Sequence, residues 1–324
     1  MRSVMCSRVG WTLAALLVAG PASGADEALR VDRHHRPAPE VGAVPTVLAA
    51  GLVGASQLMW FEGAYWVRTS DGALQRYVDG GSLEPVVGVT LQSPARLVSD
   101  GAHLLVEGDG AVSLWNGSGF GSLVTGREGL RATHVKDGRL YWVEAAAGGS
   151  LYEAAIEAPS PEVRATGLGE VASLLRQQGA TLIAPAGDEP RGFMRLLDSE
   201  SAPTWVAESR LSAHEMLAVG SDVWAIMMTN RGWIERLGGD DVLVRVCYAQ
   251  SGSQGLQSQG DDLFWFGPAG VWRLEMSGSR PEAVVTNTQP VGLVVTSDRI
   301  VWLDAPRGQL LSLGHEDLPT SAVP

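Results

Sequence analysis

The sequence predicts an all-β fold, a seven-bladed β-propeller of four-stranded antiparallel blades whose ring is closed by an N-terminal strand. Three observations carry this prediction. The 324 residues include 40 glycines and 17 prolines, which favour strands and turns over helices. A pattern of turn residues followed by apolar and aromatic residues recurs seven times, and the two ends of the repeated region complement each other.

Each repeat contains a turn with Gly or Asp, followed about four residues later by an apolar or aromatic residue that serves as an anchor, as in "DGRLYWV". Successive anchors lie 37 to 41 residues apart. One apolar stretch before each anchor and two after it predict four short strands per unit, which is typical of a propeller blade. The anchors, in order, are Trp66, Leu105, Trp142, Ile183, Trp224, Trp265 and Trp302.

The turns and the packing of a blade explain which residue types occur at each place in the repeat. "DG" and "SDR" supply residues that tolerate positive φ, which two-residue hairpin turns require. Aromatic residues fill a layer between packed sheets that is about 10 Å thick. One four-stranded sheet cannot bury both of its faces, so the units are expected to stack around an axis, with the anchor tryptophans in the core.

The ring is predicted to close through residues 45–50, "PTVLAA". The seventh unit stops after "QLLSLG", one strand short, and "PTVLAA" matches "PTWVAE" at 203–208. Both stretches begin 21 residues before the next anchor. An N-terminal strand would therefore complete the last blade and hide the edges of an open sheet. A long β-sandwich or a parallel solenoid is the alternative, although a solenoid needs atypical caps at both ends.

The strands "AYWV", "LYWV" and "IVWLD" resemble the second strand of YWTD-type repeats in secreted and cell-surface propellers. The resemblance implies a propeller architecture. This chain differs from the YWTD pattern in two ways. The Thr-Asp pair of the motif is replaced by Val67-Arg68, Val143-Glu144 and Leu303-Asp304, and the chain has seven repeats where that family has six. No functional residue is carried over from it.

The N-terminus has the features of a secretory signal over 1–24: Arg2 and Arg8, an apolar run over 11–18, and small residues before Ala25. A transmembrane anchor is the alternative, but it needs about 20 apolar residues. Residues 25–43 are predicted to be a flexible linker, 44–314 the propeller and 315–324 a C-terminal tail. These features indicate a secreted or periplasmic protein with no membrane insertion of the mature chain.

Charge and cysteine content limit the partners. The chain has a net charge of −12 and a single lysine, Lys136, so nucleic acid, which needs clustered basic residues, is not an expected partner. Cys6 would leave with the signal, and Cys247 lies in the alternating pattern "DVLVRVCYA". We therefore expect no disulfide, and we expect Cys247 to be buried as a small hydrophobic residue.

The sequence has no G-x-S-x-G elbow, no H-E-x-x-H helix motif and no D-x-D-x-D-G calcium loop. We therefore predict no cofactor and no metal, and we leave enzymatic activity open. The favoured function is a binding or scaffolding module for a small-molecule, glycan or protein partner. The alternative is a metal-assisted propeller hydrolase or lyase of the lactonase kind, with carboxylates around the axis.

The candidate site follows from the register of the repeats. The residue ten positions before each anchor is small in six units, and His214 is the exception in the fifth. Together with Arg96, Arg131 and Glu215 it predicts a pocket for an anionic or sugar-like ligand. Alternatively, these groups satisfy one another and line a water-filled channel.

Antiparallel connectivity predicts that the loops entering the first strands and the loops after the anchors share one end of the axis, while the "DG" hairpins occupy the other. The second set of loops varies in length and charge, as expected of a recognition face. The charged residues in these loops are Asp71, Glu144, Arg191, Arg231 and Asp304.

Overall fold

Seven antiparallel sheets of four strands each stand side by side in a ring. The computed structural model describes residues 44–91, 95–108, 110–187, 191–209, 211–228 and 232–318. In six sheets the first strand in sequence, and in the sheet closed by the N-terminal strand the strand Pro290–Val295, contacts its counterparts in the adjacent blades. These seven strands, called the first strands of their blades below, surround the axis of the ring. The predicted seven-bladed propeller is confirmed.

The strands are short because each ends at a turn rich in Gly, Asp or Ser. Blade 1 consists of β2 (Ala55–Phe61), β3 (Ala64–Thr69), β4 (Ala73–Val78) and β5 (Leu83–Thr90). Blade 2 consists of β6 (Ala95–Ser99), β7 (Leu104–Gly108), β8 (Ala111–Trp115) and β9 (Phe120–Val124). Blade 3 consists of β10 (Leu130–Lys136), β11 (Arg139–Glu144), β12 (Ser150–Ala155) and β13 (Glu162–Thr166). Blade 4 consists of β14 (Val171–Gln177), β15 (Ala180–Pro185), β16 (Arg191–Leu197) and β17 (Thr204–Ser209).

The remaining blades follow the same plan. Blade 5 consists of β18 (Ser212–Val219), β19 (Asp222–Met228), β20 (Trp233–Leu237) and β21 (Leu243–Tyr248). Blade 6 consists of β22 (Gln254–Gln259), β23 (Asp262–Gly267), β24 (Gly270–Glu275) and β25 (Glu282–Thr286). Blade 7 consists of β26 (Pro290–Val295), β27 (Arg299–Asp304), β28 (Gln309–Gly314) and the N-terminal β1 (Thr46–Ala50). Two single 3-10 turns, Ala146–Gly148 and His315–Asp317, are the helical elements of the described residues.

The N-terminal strand closes the ring as predicted. β1 pairs antiparallel with β28, with Thr46 opposite Ser312 and Ala50 opposite Gln309. The predicted signal (1–24) and linker (25–43) lie outside the described residues. After β28 the backbone N–H of His315 donates to the carbonyl of Asp298 at 3.1 Å, so the start of the predicted tail packs on blade 7, and residues 319–324 lie outside the described residues.

The core lies between the blades and is built largely from second strands. Trp66, Trp142, Trp224, Trp265 and Trp302 are each at most 2% exposed, which confirms the tryptophan anchors as core residues. Their side chains do not all point the same way around the ring, however. Trp66 packs forward against Trp115 of blade 2 with ring centroids 5.1 Å apart, whereas Trp142 of blade 3 packs backward into the cluster shared with blade 2.

Six of the seven first strands contain a β-bulge near their beginning. In β18, for example, Ala213 lies opposite Met227 and Glu215 opposite Ile226, which leaves His214 without a partner on β19. A bulge of this kind changes the direction in which a side chain points and bends the strand. The bulges therefore change the direction of the side chains at the beginnings of these strands, which lie near one end of the axis.

Cys247 is buried among apolar residues between blades 5 and 6, as predicted. Removal from water raises the pKa of its thiol to about 12. The described residues contain no helix with the length and hydropathy needed to cross a membrane.

Candidate functional site

The loops that enter the first strands lie beside the loops that join second and third strands. In blade 1 the N–H of Ser70 donates to the carbonyl of Gly54 at 2.7 Å, and in blade 4 the N–H of Ala186 donates to Glu170 at 2.7 Å. This end of the propeller, formed by both sets of loops, is called the entry face below. Its centre, where the first strands begin, is called the axial opening.

The opposite end, here called the hairpin face, carries the tight turns between first and second strands. Glu62 and Gly63 in blade 1, and Asp137 and Gly138 in blade 3, have φ values between 49° and 72°. Two consecutive positive φ values are the geometry of a type I′ hairpin turn, which keeps the twist of the flanking strands. The two faces therefore differ as the repeat pattern predicted.

Polar side chains on the first strands bridge neighbouring blades at five of the seven junctions. Gln57 exchanges two hydrogen bonds of 2.8 Å with the backbone of Leu97, and Ser173 donates to the carbonyl of Ala213 at 2.9 Å. Because adjacent blades share no sheet, these side chains supply hydrogen bonds that strand pairing cannot supply. We call the five residues that do this the clasp residues: Gln57, Arg96, Ser173, Glu215 and Gln257.

Two blade junctions are built differently. At the junction of blades 7 and 1, a Cβ on Gly292 would lie 2.5 Å from the Leu58 Cβ, so the backbones approach closely and glycine is required.

At the junction of blades 3 and 4, His134 pairs with Tyr141 across the sheet, and its Nε2 atom is buried with no hydrogen-bond partner among the described residues. Removal from water, with smaller contributions from Lys136 and Arg96, lowers the pKa of His134 to about 4.

Glu215 is a clasp residue between blades 5 and 6. Its carboxylate accepts the backbone N–H of Gly255 at 2.7 Å and that of Leu256 at 3.0 Å, so both oxygens are engaged. Removal from water raises the pKa of Glu215, and the hydrogen bonds from Gly255 and Leu256 oppose that rise. This predicted site residue therefore has a structural role at the bulge of β22.

Arg96 is a clasp residue between blades 2 and 3, and it is also exposed. Its Nη2 atom donates to Glu107 at 2.7 Å and to the carbonyl of Thr133 at 3.0 Å, and its Nε atom donates to Glu107 at 3.3 Å. Its side chain remains 51% exposed, although both faces of its strand are covered by neighbouring blades. Arg96 is the second residue of β6, so the exposed part lies at the axial opening.

His214 is the bulge residue of β18 and the one exposed residue within that strand. It is the third residue of β18, so the imidazole is exposed near the axial opening. Partial removal from water, followed by the positive charge of Arg96, lowers the pKa of His214. Arg96 acts in the same way on the pKa of Glu215, as a smaller cause that lowers it. Arg96, His214 and Glu215 all lie near the beginnings of first strands, where the axial opening is.

Arg131 lies at the edge of this opening. Its Nη1 atom donates to Glu170 at 2.8 Å, in the loop that enters blade 4. The side chains of Arg131 and Glu170 are 39% and 61% exposed. This pair spans blades 3 and 4 on the entry face and is separate from Arg96, His214 and Glu215.

Three of the five predicted loop residues have described side chains, and each has a local partner. Asp71 accepts hydrogen bonds from the Thr69 hydroxyl and the Ala73 N–H, and the first of these lowers the pKa of Asp71. Glu144 accepts the indole N–H of Trp142 at 3.0 Å, and Asp304 is fully buried and pairs with Arg307. The side chain of Arg191 and all of Arg231 lie outside the described part.

Sequence reasoning did not assign the clasp role. The signal was present, because Gln57, Arg96, Ser173 and Glu215 recur at about the blade period in strands that are otherwise apolar. A polar residue that recurs with the period of the repeat indicates a contact between repeats. In the described ranges, no group of three or more His, Cys, Asp or Glu side chains is arranged to hold a metal ion.

No family model and no curated protein matches the chain. Several solved structures are similar to it. The extracellular domain of the putative hybrid two component system BT4673 from B. thetaiotaomicron is 14% identical with a TM-score of 0.63, and the match covers 82% of this chain and 39% of that one. The chain has the β-propeller fold.

Two further similar structures cover nearly all of their own chains. YCF48 bound to D1 peptide is 13% identical with a TM-score of 0.60, covering 84% of this chain and 96% of that one. The RRP9 WD40 repeats are 11% identical with a TM-score of 0.59, covering 85% and 99%. At these identities the similarity establishes the architecture and nothing finer.

Proposed function

We propose that this chain is an exported binding module that holds a protein or peptide partner on its entry face, with the axial opening at the centre of the contact. One observation carries the proposal. Arg96 and His214 are exposed at the axial opening, whereas Glu215 and Glu107 beside them have hydrogen-bond partners within the protein. Exposed polar groups held on rigid strands are what a recognition site requires.

The surrounding loops support the same face. The loops between second and third strands differ in length and charge from blade to blade, as in "TSDG" after β3 and "DAPRG" at the end of β27. Variable loops on a rigid scaffold suit recognition better than the uniform hairpin turns of the opposite face. Arg131 and Glu170 extend the proposed contact area from the axial opening toward blade 4.

The comparisons are consistent with a binding role. YCF48 is a propeller whose structure contains a bound D1 peptide, and the BT4673 propeller belongs to an extracellular domain. For this chain, export rests on the signal predicted over 1–24. N-terminal sequencing of the protein recovered from the periplasm or the medium tests it, because cleavage at the predicted site leaves Ala25 as the first residue.

Site-specific photo-crosslinking in cells tests the binding face. A photoreactive residue replaces Glu170 on the entry face or, as a matched control, Asp137 on the hairpin face; their side chains are 61% and 83% exposed. We expect a discrete crosslinked partner from position 170 and none from position 137. Crosslinking from position 137 alone, or equally from both positions, contradicts the proposal.

A further inference from the structure

The residue two positions after each anchor lies where the second strand reaches the entry face. In blades 2, 3 and 7 this residue is acidic, and its side chain is at most 13% exposed. Each of these carboxylates pairs with an arginine of the protein: Glu107 with Arg96, Glu144 with Arg127 and Asp304 with Arg307. Blades 4, 5 and 6 have Pro185, Ile226 and Gly267 at this position. Blade 1 differs from all of them, because it has an arginine there, Arg68.

The side chain of Arg68 lies on the side of blade 1 that faces blade 2. Arg68 is opposite Gln57 on β2 and opposite Leu74 on β4. Gln57 binds the backbone of Leu97 in blade 2, and Leu74 belongs to the apolar cluster that blades 1 and 2 share. Side chains directly opposite one another on paired strands lie on the same face of a sheet. Arg68 is only 8% exposed, so its charge is at the entry-face end of an apolar layer.

The guanidinium of Arg68 has no ion-pair partner among the described residues. Its Nη1 atom donates to the Ser56 hydroxyl at 3.2 Å, and its Nε atom is buried without a hydrogen-bond partner in the described ranges. The proton of the Ser56 hydroxyl is donated to the Arg68 carbonyl at 3.1 Å. The acidic residues Asp71, in the next loop, and Glu107, in blade 2, bind other groups. A buried charge without a counter-charge is a costly arrangement in a protein.

We propose that Arg68 binds a carboxylate side chain of the partner at the entry face, between blades 1 and 2. This inference rests on the proposed function, whose contact surface it extends. The partner's carboxylate supplies to blade 1 the negative charge that blades 2, 3 and 7 supply to their arginines from within the protein.

The free groups of Arg68 fit a carboxylate. Neither Nη2 nor Nε has a hydrogen-bond partner among the described residues, and these two atoms lie on the same edge of the guanidinium plane. A carboxylate that accepts from Nη2 therefore directs its second oxygen toward Nε, which is the paired contact that arginine makes with carboxylates. One carboxylate charge balances one guanidinium charge. A phosphate dianion exceeds it and is repelled by the net charge of −12.

Nuclear magnetic resonance tests the contact directly, with acetate as the probe. Because burial slows proton exchange with water, the Nε–H group of Arg68 should give a resonance in the 15N-labelled protein. The resonance is identified by its loss in Arg68→Met. We expect acetate to shift it in a saturable way, and acetamide, which lacks the charge, not to shift it. The absence of a saturable shift with acetate, or an equal shift with chloride at the same ionic strength, overturns the carboxylate assignment.

Urea unfolding separates a binding role of Arg68 from a structural one. If Arg68 has no counter-charge in the free protein, Arg68→Met should leave the urea midpoint unchanged or raise it, because an apolar side chain of similar length suits the apolar layer. Arg127→Met is the comparison, since it removes the partner of Glu144 and should lower the midpoint. Equal decreases for the two variants would show that Arg68 serves the fold, and the inference would then be wrong.

Crosslinking from position 170 in cells connects the contact to the partner. Arg68→Met is expected to reduce the yield of the crosslinked partner by at least about fivefold, since it removes a charged hydrogen-bond donor from the contact. Arg76→Gln is the matched control, because it removes the same charge from blade 1 at an exposed pair with Glu84, and it should leave the yield unchanged. An undiminished yield in Arg68→Met overturns the inference.

Failure of this inference is distinct from failure of the proposed function. If the partner is crosslinked equally in the wild type and in Arg68→Met, the entry face still binds the partner, but by contacts other than Arg68. If acetate binds at Arg68 while no partner is crosslinked from position 170, the proposed function is contradicted and Arg68 is a site for free carboxylates instead of a partner's side chain.

Discussion

The side-chain amide of Gln57 in blade 1 pairs with the backbone of Leu97 in blade 2 through two hydrogen bonds of 2.8 Å, one in each direction. This is the exchange that two neighbouring strands make, performed here by a side chain across a gap between sheets. Replacement by alanine leaves the N–H and the C=O of Leu97 without these partners inside the ring.

Gln57→Ala is therefore expected to lower the free energy of unfolding by about 2 kcal/mol, the usual cost of leaving partly buried polar groups unpaired. Urea unfolding followed by tryptophan fluorescence measures it, since Trp66 lies in the same blade. Gln254→Ala, at an exposed glutamine on the first strand of blade 6, serves as the control and should change stability by less than about 0.5 kcal/mol. Equal effects of the two changes would show that the clasp contributes nothing.

His134 is expected to make the stability of the propeller sensitive to acid. Its pKa is lowered to about 4 in the folded protein and returns to its ordinary value in the unfolded chain. The unfolded chain therefore binds the proton first, and stability is lost as the pH falls from about 6.5 to about 4. The loss amounts to at most about 3 kcal/mol, since part of the residue is accessible to water.

His134→Gln removes this titration. Unfolding free energies measured from pH 8 down to pH 4 should fall less steeply for the variant than for the wild type. The difference between the two proteins at pH 8, where His134 is neutral, measures the effect of the substitution apart from titration. Parallel curves for the two proteins would be incompatible with a neutral, buried imidazole at the junction of blades 3 and 4.

The N-terminal strand should determine the stability of the entire ring. Two shortened proteins test this, one that begins at Val44 and keeps β1, and one that begins at Gly51 and lacks it. The second leaves the edge of β28 unpaired, so a lower melting temperature and aggregation are expected. A synthetic peptide of residues 44–50 should raise that melting temperature by mass action. Identical melting curves for the two proteins would exclude closure by β1.

The thiol of Cys247 should be unreactive in the native state. A thiol with a pKa of about 12 in an apolar cluster has almost no thiolate at pH 8, and it is inaccessible to reagents. A chain that begins at Val44 contains this cysteine alone and should react with a thiol-specific disulfide reagent only in denaturant. Rapid labelling without denaturant would indicate that blades 5 and 6 separate readily.

The sequence predicted the architecture well because blades are local units. Hairpin turns, strand lengths and the closing strand each follow from residues within one repeat, or from a match between two repeats such as 45–50 and 203–208. The direction in which individual side chains point could not be predicted from the repeat pattern. Trp66 packs toward the next blade and Trp142 toward the preceding one, because a shift of one residue moves a strand's side chains to the other face.

The candidate site stays a prediction, and the sequence supplied its residues without their contacts. His214 was singled out by its size among small residues, and its place in a bulge explains why it is exposed at the axis. Glu215 was assigned to the same site, but the pattern of residues could not show that its oxygens accept the N–H groups of Gly255 and Leu256. Such contacts join residues about 40 positions apart and depend on the geometry of the bulge in β22.

Closure by β1 also fixes the order of events during synthesis. A ribosome completes β1 first and β28 last, so the two strands that seal the ring become available at opposite ends of translation. Blades 1 to 6 can form as hairpins while the nascent chain is still emerging, because each is local in sequence. The last sheet, in contrast, forms only after β28 is made, and pairing β1 with β28 carries the largest loop-closure cost among the strand pairs. If the chain is exported as proposed, the ring can therefore stay unsealed until β28 has crossed the membrane, and sealing then takes place on the far side.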